Sequence, residues 1–306
     1  MKIITNTILA SALCACLASN ANAQSWLTNG LVAYYPFSGN ANDASGNGNN
    51  GTINGPTFMM DRFGYTNSAL FFDTNSVSSA FFPPLGTSSR SISVWFNVAA
   101  CPQQMTFVCY GGDTYWGTRF ELKIMENGNL ALDVGGAGVT TTSNYKDGKW
   151  HQFTVVAPTN ASLSDVILYI DGVQQTDLSY YNDPPINTSG TFTLLMGQLF
   201  LSGDSRYLIG SLDDIRIFNR NLSSDEVAQL YQIESAQIVN LNKAVWLSFS
   251  NLRNGTNYQV QVSADLNGTF TNYGSPFTAT NATMNYPAYW NVGDWNQLFF
   301  RLQALP

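Results

Sequence analysis

The chain is predicted to fold as an all-β sandwich or barrel. Short segments rich in β-branched and aromatic residues follow one another along most of its length, as at 31–35 and 91–98. Turn residues separate these segments, and Asn-Gly or Asp-Gly pairs occupy 127–128, 147–148 and 171–172. Such pairs favour tight β-hairpins, so antiparallel strands are expected.

One helix interrupts this pattern. Ser223 and Glu226 have the spacing of a capping box, and Val227, Leu230 and Tyr231 follow them as an apolar stripe. A short helix is therefore expected from about residue 223.

The strand pattern divides the chain into two modules. A boundary falls near Glu234, because the predicted helix ends there and a new run of strands follows. We assign 24–234 to a main domain and 235–306 to a small second β-module, which contains no Glu.

The first 23 residues have the features of a signal peptide. Lys2 supplies a positive charge, 8–17 is apolar, and Ala-Asn-Ala at 21–23 suits cleavage near Ala23. The apolar run is too short to span a membrane, and no later segment qualifies. A lipobox-like sequence at 13–16 leaves a lipoprotein as the alternative. The mature protein is expected to be secreted, periplasmic or at the cell surface.

Composition restricts the classes of partner. The net charge is −7, and only 11% of residues are charged. An acidic surface repels nucleic acid and suits anionic membranes poorly. Numerous amide, hydroxyl and aromatic side chains suit contacts with sugars.

Two cysteines, Cys101 and Cys109, remain after cleavage. An even count in an oxidising compartment favours a disulfide between them. Two buried thiols are the alternative.

Seven motifs occur in an order that resembles the laminin-G-like, concanavalin A-like jelly-roll domain of secreted bacterial proteins. They are LVAYYPF at 31–37, DASGNGNNG at 43–51, ALFFD at 69–73, SISVWF at 91–96, KWH at 149–151, LYIDG at 168–172 and GSLDDIRIFNR at 210–220. The resemblance covers about 30–233 and implies a two-sheet antiparallel jelly-roll sandwich. Domains of this kind bind sugars or proteins, and the wider superfamily includes glycan-cleaving enzymes, so the fold alone leaves function open.

The second module carries LRNGTNY at 252–258. This resembles the tyrosine corner of fibronectin type III domains, with Asn254 in the position of a proline. The resemblance implies that the Tyr258 hydroxyl bonds to upstream backbone. A truncated or different sandwich is an equal alternative.

No pattern of an enzyme active site is visible. The mature chain has four glutamates and lacks the paired-carboxylate motif of related β-glucanases. Glu121 and Asp133 could face each other on neighbouring strands, but only by accidental spacing. His151 lies in a structural motif of the resembled family, and a nucleophile elbow and zinc-binding patterns are missing. We therefore predict that the protein is not an enzyme.

The resemblance also implies a structural calcium ion. Asp43 lies in a loop rich in Asn and Gly, and Asp213 matches an aspartate of the last strand, with Asp214 as the neighbouring alternative. Carboxylate and backbone oxygens suit Ca²⁺. A solvated turn and a carboxylate paired with arginine form the competing interpretation.

A ligand site is predicted around YGGDTYW at 110–116. Tyr110, Tyr115 and Trp116 could stack on sugars while Asp113 accepts hydroxyl hydrogen bonds. Alternation along the next strand places Arg119, Glu121 and Lys123 on one face, which is either a ligand surface or an ordinary wet face. Trp95 is expected to be a core residue instead.

Three functions follow from these observations. A non-catalytic glycan-binding module stabilised by calcium is the preferred hypothesis. The alternatives are an adhesion or structural module that contacts extracellular protein, and a glycan hydrolase or lyase of an unrecognised type. Oligomeric state is not determined by the sequence.

Overall fold

The computed structural model describes residues 25–113, 115–201, 206–235, 244–245, 247–286, 290–291 and 298–305. The chain divides into two compact units, Met1–Ala236 and Gln237–Pro306. The predicted signal peptide and the alternative lipobox lie outside the described residues.

Among its described residues, the first unit contains sixteen strands and three short helical segments. The strands are β1 Leu31–Tyr35, β2 Gly51–Asn54, β3 Thr57–Met59, β4 Ala69–Asp73, β5 Ser76–Ser79, β6 Arg90–Asn97, β7 Met105–Gly111, β8 Arg119–Ile124, β9 Leu130–Asp133, β10 Gly138–Thr141, β11 Trp150–Ala157, β12 Ile167–Ile170, β13 Val173–Gln174, β14 Leu178–Tyr181, β15 Phe192–Met196 and β16 Ile209–Phe218. The helical segments are α1 Ser25–Thr28, a 3₁₀ turn Leu163–Asp165 and α2 Ser224–Ser235. Within the described ranges, every helix is too short or too polar to cross a membrane.

Two antiparallel eight-stranded sheets form the predicted sandwich. The first sheet has the order β13-β12-β11-β6-β16-β4-β3, with β1 also paired to β16. The second sheet has the order β14-β10-β9-β8-β7-β15-β5-β2. The first and last strands of the unit lie side by side, and β16 changes partner from β4 to β1 at an irregularity between Asp213 and Arg216.

The core lies between the two sheets and is built from one face of each strand. Phe96 of the first sheet stacks on Phe107 of the second with ring centroids 4.7 Å apart. Phe72, Phe120 and Phe153 are also fully buried in this cluster. Because strand side chains alternate between faces, the other face of each sheet carries different chemistry.

Helix α2 covers part of the outer face of the first sheet. Its predicted capping box is confirmed, since Ser223 N donates to Glu226 Oε2 at 2.8 Å and Glu226 N donates to Ser223 Oγ at 3.2 Å. Tyr231 stacks on Trp95 at 5.6 Å, and Trp95 Nε1 donates to Glu234 Oε2 at 2.7 Å. Trp95 is thus buried as expected, but beneath the helix rather than between the sheets.

The predicted disulfide is not present. Cys101 and Cys109 are both free, buried thiols. Cys101 belongs to the core and its Sγ lies 3.2 Å from the carbonyl oxygen of Met125, whereas Cys109 Sγ points to the carbonyl oxygen of Gln198 at 3.3 Å. Cys109 is not among the residues of that core cluster, so the two side chains face different surroundings. A disulfide needs side chains directed at each other.

The described part of the second unit contains eight short strands. They are β17 Ala244–Val245, β18 Ser248–Ser250, β19 Asn257–Ser263, β20 Thr271–Asn272, β21 Phe277–Thr278, β22 Thr283–Asn285, β23 Trp290–Asn291 and β24 Phe299–Ala304. Strand β19 pairs with β20, β21 and β24. The hydroxyl of Tyr258 accepts a hydrogen bond from Arg253 N at 2.9 Å, which is the upstream backbone contact expected of a tyrosine corner. Kinship with fibronectin type III domains stays a prediction.

Candidate ligand-binding cleft

A cleft of about 780 Å³ lies on the face of the second sheet that is turned away from the core. Strand β8 contributes Arg119 and Lys123, and β9 contributes Asp133. The intervening Phe120 and Leu122 point into the core, so the alternation predicted for this strand holds. Asp113, Tyr181 and Gln104 also contribute polar groups to the wall.

Asp133 is the centre of the cleft's hydrogen-bond network. Its Oδ1 accepts from Arg119 Nη2 at 2.6 Å and from Gly135 N at 2.8 Å. Its Oδ2 accepts from Lys123 Nζ at 2.6 Å and from the Tyr181 hydroxyl at 3.0 Å. Four donors of fixed direction therefore surround one carboxylate, which holds both cations and the phenol in place.

Burial alone would raise the pKa of Asp133, but the charges and hydrogen bonds of Lys123 and Arg119 outweigh it and hold that pKa well below its usual range. Burial, followed by the negative charge of Asp133, raises the pKa of Tyr181. The carboxylate is thus ionised and the phenol protonated across the neutral pH range.

Glu121 lies beneath the cleft and is fully buried. Its Oε1 accepts from the Thr106 hydroxyl at 2.5 Å, while Oε2 lies 3.3 Å from both Arg119 Nε and Arg206 Nη1. It is the residue directly opposite Asp133 on the neighbouring strand. Both carboxylates therefore lie beside arginine or lysine groups, and the pKa of Asp133 is lowered, whereas a general acid of a glycosidase requires a raised one.

The predicted aromatic loop lies partly at this cleft. Asp113 Oδ1 is 2.7 Å from Arg119 Nη1. Trp116 is 60% exposed and lies against Gly136, where a Cβ would come within 2.7 Å of its Nε1. Because Gly136 lines the cleft, Trp116 stands at its rim. Tyr115 is 74% exposed.

Tyr110 does not belong to this surface, so its assignment as a ligand residue is wrong. It is fully buried between the sheets, where its ring lies 5.6 Å from that of Phe120. Its hydroxyl accepts from Arg90 Nη1 at 3.3 Å. Neighbouring residues of β7 point to opposite faces of the sheet, and Tyr110 is on the face that points into the core.

Comparison with known proteins agrees with this architecture. The family model described as the concanavalin A-like lectin/glucanases superfamily matches residues 71–228. The chain belongs to this superfamily. No curated protein matches it.

Two solved structures show what this superfamily member is similar to. Domain 4 of AbnA, a GH43 extracellular arabinanase from Geobacillus stearothermophilus solved in complex with arabinotriose, is 19% identical, with a TM-score of 0.50 over 66% of this chain and 98% of that one. The binding domain of paraclostridial mosquitocidal protein 1 is 16% identical, with a TM-score of 0.52 over 78% of this chain and 62% of that one. At these identities the likeness concerns the fold, which both domains share with this chain.

The aspartates predicted to hold calcium in this superfamily member are bonded to nitrogen donors. Asp43 Oδ1 accepts from the backbone N of Tyr34 at 2.9 Å and of Ser45 at 2.8 Å, and its Oδ2 accepts from Asn49 N at 2.9 Å. This is the bonding of a turn, in which the carboxylate orders the backbone around it.

Asp213 and Asp214 are instead joined by one guanidinium. Arg62 Nη1 lies 2.7 Å from Asp213 Oδ2, and Arg62 Nη2 lies 2.7 Å from Asp214 Oδ2. A calcium ion requires six to eight oxygen ligands. Within the part of the chain that the structure describes, no group of three or more acidic, His or Cys side chains could hold a metal. These aspartates therefore do not fit a calcium ion shared with Asp43.

Several residues that line the cleft could not be predicted from the sequence. Tyr181, Gln104 and Arg206 come from distant parts of the chain, and no local pattern marks them. The spacing of Asp133 from Glu121 allows the two residues to face each other on neighbouring strands, but spacing alone cannot distinguish this arrangement from coincidence. The pairing of β8 with β9 is what gives it meaning.

His151 of this superfamily member forms a separate cluster with two aspartates. Its Nδ1 lies 2.8 Å from Asp171 Oδ2, and its Nε2 lies 3.2 Å from Asp147 Oδ1. The hydrogen bond to Asp171 is the main reason that the pKa of His151 is raised, and it outweighs the opposing effect of burial. Because the folded-state pKa is raised, this cluster stabilises the fold below the ordinary histidine pKa, and that stabilisation is lost as the pH rises through the raised value.

We expect an NMR titration to find the pKa of His151 above about 6.5. The chain has one histidine, so its imidazole signals are unambiguous. An Asp171→Asn change should return the pKa toward 6.5, and Asn tolerates the positive φ of 51° at this position. The control Asp147→Asn, at a longer and more exposed contact, should lower the pKa less. Equal effects of the two changes would contradict this assignment.

Proposed function

We propose that the mature protein is a secreted, non-catalytic glycan-binding module whose ligand occupies the cleft on the outer face of the second sheet. The observation that carries the proposal is the set of donors that hydrogen-bond to Asp133 along an open groove, with the carboxylates of Asp113 and Glu126 as acceptors at the same groove. Sugar hydroxyls both donate and accept hydrogen bonds, and the cleft offers both kinds of partner. Because ion pairs already hold these side chains, little conformational entropy is lost on binding.

The rim of the cleft supplies the second element of sugar recognition. Trp116 is an exposed aromatic ring beside the polar wall, and an aromatic face can stack on the C–H surface of a sugar ring. Tyr181 is 40% exposed and presents its ring next to the same wall. A strand position without a side chain makes this possible, since a Cβ on Gly138 would lie 2.6 Å from the Tyr181 hydroxyl oxygen.

The fold of the structural neighbours is compatible with this proposal. Domain 4 of the arabinanase AbnA was solved with arabinotriose, and the mosquitocidal protein's matching part is its binding domain. The proposal that catalysis is absent is supported by the ion pairs that Glu121 and Asp133 form with arginine and lysine side chains. It is also supported by His151, whose two aspartate partners lie outside the residues that line the cleft.

The test is affinity electrophoresis of the mature protein in gels that contain a panel of soluble polysaccharides. We expect retardation by at least one glycan, and a Trp116→Ala change should weaken it about tenfold, the equivalent of about 1.4 kcal/mol. Tyr65→Ala, which removes another exposed aromatic from the loop between β3 and β4, should leave retardation unchanged.

Reducing-end and unsaturated-end assays on the same glycans complete the experiment. We expect no product. Released oligosaccharides that disappear in a Glu121→Gln variant would instead establish a hydrolase or lyase. Absence of retardation by every glycan would favour the adhesion or structural alternative, with an extracellular protein as partner.

A further inference from the structure

We infer that the glycan recognised by this cleft is uncharged, rather than one that carries carboxylate or sulfate groups. This inference rests on the proposed function and adds the chemical class of the ligand. It is drawn from the charge balance of the cleft and from the way in which its cations are already used.

The cleft has no surplus of positive charge. Among the described residues that line it, Asp113, Glu126 and Asp133 balance Arg119, Lys123 and Arg206. Glu121, which lies beneath the cleft within 3.3 Å of two of these arginines, adds a fourth carboxylate. The formal charge of the whole chain is −7, so the long-range field also opposes an anion.

Every nitrogen of the Arg119 guanidinium already lies beside a carboxylate. Its Nη1 lies 2.7 Å from Asp113, its Nη2 lies 2.6 Å from Asp133, and its Nε lies 3.3 Å from Glu121. Recognition of a carboxylate or sulfate by arginine typically uses two parallel N–H groups of one edge. A charged sugar that approached this guanidinium would bring a further negative charge close to Asp113, Glu121 and Asp133.

Lys123 is committed in a similar way. Its Nζ donates to Asp133 Oδ2 at 2.6 Å and to Gln104 Oε1 at 2.8 Å, and its side chain is 3% exposed. An ammonium group has three donors, so one further hydrogen bond can be made without breaking these two. A hydroxyl oxygen can accept that bond without bringing a negative charge next to Asp133.

The exposed carboxylates of the cleft favour hydroxyl groups over anionic groups. The Asp113 side chain is 39% exposed, and Glu126 lies exposed at the same cleft. These carboxylates can accept hydrogen bonds from sugar hydroxyls and would repel a uronate or sulfate. Hydroxyl groups therefore match both the paired cations and the exposed carboxylates.

The experiment compares three forms of one polysaccharide. The probe is a neutral glycan that retards the wild-type protein, the same glycan after its primary hydroxyls are oxidised to carboxylates, and the oxidised glycan after methyl esterification. The ester form is the control for loss of the hydroxyl, because it is uncharged but lacks the original group. Each form is tested at low and at high ionic strength.

We expect oxidation to weaken retardation at least tenfold at low ionic strength, and esterification to restore most of it. High salt should narrow the difference, since it screens the repulsion. Asp113→Asn should lower the discrimination between neutral and oxidised forms, because it removes one negative charge from the rim.

Two kinds of failure can be told apart. Equal or stronger retardation by the oxidised glycan, or by naturally anionic glycans only, would overturn the inference of an uncharged ligand and leave glycan binding intact. Retardation by no glycan at all would overturn the proposed function, and this inference with it.

Discussion

An Asp133→Asn variant is expected to be about 3–5 kcal/mol less stable than the wild type, because the change leaves Arg119 and Lys123 buried without their shared counter-charge. Both cations have side chains less than 5% exposed. Their charges would then face each other across the amide. In a domain of this size, a loss of that order lowers the melting temperature by roughly 2–4 °C per kcal/mol.

The same variant should lose glycan retardation. Asp133 fixes the directions of Arg119, Lys123 and Tyr181, and without it those side chains adopt other rotamers. Chemical denaturation and affinity electrophoresis measure the two effects. Glu126→Gln is the matched control, since it also removes one carboxylate from the cleft but at an exposed position, and it should alter stability by no more than about 0.5 kcal/mol.

The pH dependence of stability provides an independent test of Asp133. Because its folded-state pKa is lowered, its contribution is present above the ordinary carboxyl pKa of about 3.9 and is lost only as the pH falls toward the lowered folded value. The difference in unfolding free energy between wild type and Asp133→Asn should therefore shrink below pH 4. A difference that is small at neutral pH would contradict the central role of this carboxylate.

The second large effect is expected for Arg62→Ala. The guanidinium bridges Asp213 and Asp214, its Nε donates to the carbonyl oxygen of Glu234 at 2.7 Å, and its Cζ lies 4.4 Å from the centre of the Trp95 ring. Removing it leaves two adjacent acidic side chains without the guanidinium that bridges them. We expect a loss of about 3–5 kcal/mol in the free energy of unfolding, measured by denaturant titration. Lys149→Ala, which removes a cation that is 77% exposed, should have little effect.

This cluster also bears on the calcium hypothesis. Arg62 already bridges Asp213 and Asp214, two of the three aspartates predicted to bind the ion. We therefore expect EDTA and added calcium to leave the wild-type melting temperature unchanged. A fall in that temperature with EDTA, reversed by calcium but not by magnesium, would contradict this expectation. It would show that a bound calcium ion stabilises the fold in addition to the ion pairs of Arg62.

Proton binding by the same cluster should be measurable. Burial, followed by the charge of Asp214, raises the pKa of Asp213. A carboxyl whose folded-state pKa is raised binds a proton in the folded state, so its contribution to stability decreases as the pH rises from the ordinary carboxyl range toward the raised value. Asp213→Asn should remove that part of the pH dependence above pH 5, where the lowered carboxyls no longer titrate.

The sequence by itself was sufficient for the fold class. Short segments rich in β-branched and aromatic residues, Asn-Gly and Asp-Gly turns, a capping box and seven motifs in order predict an antiparallel sandwich with one capped helix. These signals are local, since strand alternation and helix capping depend on residues close together in the chain. The alternation of Arg119, Glu121 and Lys123 was predictable for the same reason.

Tertiary structure decided which of these residues form a site. Asp133 acquired its role from the register that sets it opposite Glu121, and Tyr181 from pairing across β10 and β14. Arg62 reached Asp213 and Asp214 from a loop about 150 residues earlier, and Cys101 and Cys109 proved to lie in different surroundings. Contacts between residues distant in the chain depend on strand order and register, and on which face of a sheet each side chain occupies. A local pattern cannot specify these, because a shift of one residue exchanges the two faces of a strand.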